Sequence, residues 1–183
     1  MNRLSALIIG LSIVAVGCGD SSPVAPSEGS TTTATFTVAL SSTNEVPAIA
    51  NADASGSGTA VVTLIVSRDK AGTATSALAN FQITVAGFPA GTTVTDAHIH
   101  NGAAGSNAAV YVGTTLASGE IAIANGGGST TKTGINVPVD RATAILSNPA
   151  GHYFNVHTAL NPGGAIRGQL GAPVVTESTA APY

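Results

Sequence analysis

Between residues 35 and 171 the chain is a series of short runs in which apolar and polar residues alternate. Residues 36–40 and 81–85 alternate with a period of two, and 60–66 does so less strictly. Side chains two apart share one face of a strand, so this period marks half-buried β-strands. Further candidates are 94–100, 109–112, 120–124, 142–146, 153–157 and 166–170. Clusters of Gly, Pro, Asn and Ser separate the runs, as at 87–91, 101–102, 125–128, 148–149 and 161–164. Nothing longer than a turn or two carries helical periodicity, and no internal repeat emerges. Short strands punctuated at this rate predict an all-β sandwich or barrel.

The strand phases sort the few reactive side chains. Asp96, His98 and His100 share one face of their run, opposite Ala97 and Ile99. Tyr153, Asn155 and His157 oppose Phe154 and Val156, while Arg167 and Gln169 oppose Ile166, Gly168 and Leu170. If the three strands are neighbours, these faces make one polar patch. Three of the four histidines would lie on it, and His98, His100 and His157 then form a candidate three-imidazole metal site. Neutral imidazole suits copper and zinc, and catalysis would need an open fourth position. The alternative is a polar network, with the imidazoles bonded to Asp96, Asn155 or backbone carbonyls. Arg167 is expected to be a fork donor to a carboxylate, with Glu45 and Asp96 as candidate partners. Glu45 precedes Val46-Pro47, where the proline imposes extended backbone, and is expected in a structural salt bridge. His152 falls in the apolar phase and reads as a loop or strand-start residue. No Ser-His-Asp order, carboxylate pair or redox cysteine pair is arguable, so no catalytic residue is assigned.

Composition narrows the partners. Thr, Val, Ala, Gly and Ser dominate, Trp is absent, and only 8% of residues are charged, which favours strands over helices. Six Lys and Arg stand against nine Asp and Glu. Loss of Arg3 with a leader leaves five against nine, a net of −4, which argues against nucleic acid. That leader is residues 1–17: Arg3 followed by a mostly apolar stretch from 4 to 16, too short for a permanent span and suited to export. Ala15-Val16-Gly17-Cys18 resembles a bacterial lipobox, so Cys18, the single cysteine, is expected to be lipidated. Gly19 and Asp20 after it resemble outer-membrane or surface sorting. Residues 18–34 are expected to be a lipidated, flexible tether, 35–171 one β domain, and 172–183 a loose tail.

Four motifs carry a family resemblance over residues 36–171. They are Leu40-Ser41-Ser42-Thr43-Asn44-Glu45-Val46-Pro47, Ala97-His98-Ile99-His100-Asn101-Gly102, Tyr153-Phe154-Asn155-Val156-His157-Thr158 and Pro162-Gly163-Gly164-Ala165-Ile166-Arg167-Gly168-Gln169-Leu170. In that order they resemble the CHRD domain of chordin and of bacterial exported proteins. Ala165 stands where that family usually has Glu. The resemblance implies an immunoglobulin-like β-sandwich, an extracytoplasmic setting and no known catalytic reaction. His98, His100, His157 and Arg167 also resemble the layout of copper-zinc superoxide dismutases, without the bridging histidine or the zinc-ligand cluster; that is fold-level analogy. The expected function is a surface-tethered module, lipid-anchored in the envelope, that binds a protein partner or builds envelope structure. The alternative is a copper-binding protein with copper-handling or superoxide-related chemistry.

Overall fold

A computed structural model describes residues 29–179, and the leader, the lipobox and Cys18 lie outside them. The described residues form nine antiparallel strands and one α-helix: β1 (Ser30–Ser41), β2 (Ser57–Arg68), β3 (Ala74–Ala86), β4 (Val94–His100), β5 (Val110–Gly113), β6 (Gly128–Asn136), α1 (Val139–Ser147), β7 (Tyr153–Thr158), β8 (Ile166–Gln169) and β9 (Val174–Thr179). The fold is all-β, as expected. The strand order is β5-β4-β7-β8-β1-β2-β3-β6, with β9 also on β1. β8 meets β1 at a single register pair, Arg167 with Ser41. There the sheet curls from one layer into the other, and the inward faces close on each other.

The alternation explains the closure. In β1, Ala34, Phe36, Val38 and Leu40 are buried while the residues between them are not. β2 and β3 repeat the pattern with Val62 and Leu64, then Phe81 and Ile83. The other layer contributes Ile99, Phe154, Val156 and Ile166. Phe81 and Phe154 meet across the interior with ring centroids 6.0 Å apart.

Several expectations are corrected. Residues 142–146 lie in α1, where Ala142 and Ile145, three apart, are buried on one helical face. Pro138 precedes the helix and Asp140 sits in its first turn, both start signals that outweigh the short alternation. Residues 120–124 make only isolated bridges, Thr93 with Ala122 and Ala124 with Gly127. β6 went unforeseen because Gly-Ser-Thr-Thr-Lys-Thr-Gly-Ile-Asn has almost no apolar alternation; it forms by pairing with the edge of β3. The outer boundaries also move. β1 begins at Ser30, inside the expected tether, and Val174–Thr179 of the expected loose tail is β9, paired with residues 30–35.

Truncating Phe154 tests the closure between layers. Phe154→Ala should destabilise the protein by about 3–5 kcal/mol through lost burial and a residual cavity. Thr37→Ala, on the solvent face, should stay within about 0.5 kcal/mol of wild type. Urea denaturation followed by circular dichroism measures both; equal effects would reverse the assigned faces.

Candidate metal centre

β4, β7 and β8 are consecutive in the sheet, so the conditional polar patch of the sequence exists. Asp96 pairs with His157 in register, His98 with Asn155, and His100 with Tyr153. Asn155 pairs in turn with Arg167. One ring nitrogen from each of His98, His100 and His157 lies within 4.8 Å of the others.

The outer nitrogens define the tautomers. His100 Nδ1 is 2.9 Å from the Ala108 carbonyl, and His157 Nδ1 is 3.0 Å from the Pro162 carbonyl. A carbonyl only accepts, so both Nδ1 atoms carry the hydrogen. His98 Nε2 is 3.0 Å from Asp96 Oδ2, and an ionised carboxylate likewise only accepts. In the neutral rings the lone pairs therefore sit on His98 Nδ1, His100 Nε2 and His157 Nε2. His98 Nδ1 and His100 Nε2 are 3.3 Å apart, with no hydrogen of their own between them. His157 Nε2 is buried without a partner among the described residues.

Burial favours the uncharged form of two of the rings, His100 and His157. Desolvation depresses His157 to about 4, with the nearby His98 as the next cause. Desolvation also lowers His100, opposed by its bond to Ala108. The centre faces water on one side, where the His98 side chain is 12% exposed and Asp96 46%.

Its other side is roofed and braced. Tyr153 stacks on His100 at 4.7 Å with the rings 3° from parallel, and the Arg167 guanidinium lies over the Tyr153 ring, 4.7 Å from its centroid. Arg167 donates from Nε to the Asn44 carbonyl at 2.6 Å, and from Nη1 to the Ser106 carbonyl at 2.9 Å and Asn107 Oδ1 at 3.1 Å. This corrects the expected carboxylate fork. Glu45 Oε2 is 3.7 Å from Arg167 Nε, an ion pair without a hydrogen bond, and Asp96 pairs with His98 instead. Burial raises Glu45 to about 7, with the Arg167 charge opposing. Asn155 donates to neither neighbouring histidine, and its Oδ1 is buried without a partner among the described residues.

His152 immediately precedes β7, as expected of a strand-start residue. Its Nδ1 is 2.9 Å from the Asn148 carbonyl and its ring lies against Tyr111, away from the other three. Sequence reasoning missed Tyr153 as a brace, although its phase, shared with Asn155 and His157, was its signal. It also missed the Ala108 and Pro162 carbonyls, which leave no trace in residue type.

The CHRD domain family matches residues 36–170. The chain belongs to the CHRD domain family. Neither the comparison with curated proteins nor that with solved structures gives a match. The matched CHRD segment holds both histidine strands and every residue of the centre.

Glu45 provides a pH test of this environment. Its folded value near 7 exceeds the ordinary 4.5, so between those values the native state holds the proton that the unfolded chain has lost. Its contribution is therefore full below 4.5 and falls as pH rises to 7. His157, depressed to about 4, acts in the opposite direction, losing stability as pH falls from 6.5 to 4. Comparing Glu45→Gln with wild type cancels the histidine effect. With chelator present, the variant should gain on wild type in urea denaturation from pH 4.5 to 7. A constant difference would mean that Glu45 titrates normally.

Proposed function

We propose that this CHRD-domain chain is an exported, lipid-anchored envelope module that binds a copper ion through His98, His100 and His157. The observation that carries the reading is the convergence of three imidazole lone pairs whose outer N–H groups are already committed. Lone pairs 3.3 Å apart repel unless a cation or proton lies between them. Outer-nitrogen bonds to Asp96, Ala108 and Pro162 are the second shell that metal-binding histidines ordinarily have. Three nitrogens at about 2.0–2.1 Å from one ion lie about 3.3–3.6 Å apart. The His98–His100 pair has that spacing, and the His157 nitrogen lies within 4.8 Å of both. Among divalent ions, an all-nitrogen site binds copper ahead of zinc.

Calorimetric titration tests the reading. Cu(II) should bind near one equivalent at neutral pH, more tightly than Zn(II), and be released on acidification as protons compete for the imidazoles. Asp96→Ala should weaken binding by about 10–100-fold through loss of the His98 anchor. His100→Ala should weaken it further, while His152→Ala should leave it unchanged. No saturable binding by wild type, or equal binding by the His100 and His152 variants, would leave a purely hydrogen-bonded network.

The anchor is a separate part of the proposal and rests on the lipobox-like Ala15-Val16-Gly17-Cys18. Cys18→Ser should move the protein from the membrane to the soluble fraction, because among the described residues no helix is long and apolar enough to cross a membrane. A variant that still pellets with membranes after high-salt washing would rule the lipid out.

A further inference from the structure

The layer away from the histidines has an outward face of unusual composition. Its rows cross β1, β2 and β3 in register, for example Thr33–Ile65–Leu78 and Thr37–Val61–Gln82. Every outward position of these three strands is exposed or half-buried. Among the described residues none of these positions holds a charged side chain. A surface built to stay solvated and monomeric is given about 25–35% charged residues. Lys132 of β6 pairs with inward-facing Phe81 in register and bonds Glu120, so it too is off this face.

The dimensions match a dimer interface. β1 and β2 are 12 residues long, or about 40 Å at about 3.3–3.4 Å per residue. Four strands, β1, β2, β3 and β6, at about 4.8 Å spacing span about 19 Å. The product, about 760 Å², is close to the roughly 800 Å² that each partner buries in a standard stable interface.

We infer that this face is the contact between two copies of the chain, packed sheet against sheet about a twofold axis. A twofold contact brings each surface patch against its own copy. An uncharged patch meets itself without like-charge repulsion, whereas a foreign partner selected by charge would need a complementary field. Val61, Ile65 and Leu78 supply apolar burial, and the threonines add methyl groups for packing. Thr35 Oγ1 and Thr63 Oγ1 already lie 3.3 Å apart across the strands. For that pair the hydroxyls stay bonded when water leaves the face, which limits their desolvation cost. The corresponding face of the other layer is covered by loops braced on Arg167, so it offers no such contact.

Sedimentation equilibrium of the full chain in density-matched detergent tests the inference. Wild type should show twice the monomer mass. Thr37→Lys combined with Val61→Lys should give monomer with a retained circular dichroism spectrum, while Ala90→Lys on an exposed loop should remain dimeric. If the double variant fails to fold, Gln82→Lys, at an exposed position, should raise the dimer dissociation constant at least tenfold. A wild type that stays monomeric as concentration rises would overturn the inference. So would lysine variants on this face that dimerise as tightly as wild type.

Discussion

Closure of the two apolar faces determines where the histidines go. β4 and β7 must turn Ile99, Phe154 and Val156 toward Phe81 and its neighbours. With a period of two, that orientation leaves no freedom for the residues between them. His98, His100, Tyr153, Asn155 and His157 are all driven to the opposite face. Strand adjacency then sets them in register. The reactive patch is therefore a consequence of core packing, and a one-residue slip of either strand would put imidazoles into the hydrocarbon interior.

That opposite face does not remain a wet surface. Both faces of β7 are buried, because loops before and after the strands fold over the patch. Arg167 is the main brace, joining the Asn44 carbonyl to the 106–107 segment, while His100 and His157 bind loop carbonyls themselves. The roof has two effects. It excludes water, which favours neutral His100 and His157, and it supplies the acceptors that turn their lone pairs inward. A shallow polar patch becomes a preorganised set of three donors, with Asp96 and His98 left as the side facing solvent. The same roofing leaves the other layer's face as the broad, uncharged surface available for association.

The polarity of the two outer faces thus follows different rules. One holds Asp96, the three clustered histidines, Tyr153 and Arg167, and is covered. The other holds Thr, Val, Ile, Leu, Asn and Gln, and is open. A domain with so few charges cannot rely on repulsion to stay apart everywhere, and the open face is where that scarcity is most complete.

The sequence by itself determined the all-β class, the inward residues of β1, β3, β4, β7 and β8, and the shared faces of the histidine strands. Each of these depends only on the period of two, which is local. Where local signals competed or faded it misled: Ala142 and Ile145 fit a helix as well as a strand, and β6 and β9 have too little alternation to announce themselves. Both form because a neighbouring strand offers an unpaired edge. Only the tertiary structure decided that β4, β7 and β8 are adjacent, that Arg167 reaches Asn44 and Ser106 rather than a carboxylate fork, and that the Ala108 and Pro162 carbonyls set the tautomers. Those are contacts between distant segments, made largely by backbone atoms that every residue carries, and so residue identity alone does not encode them.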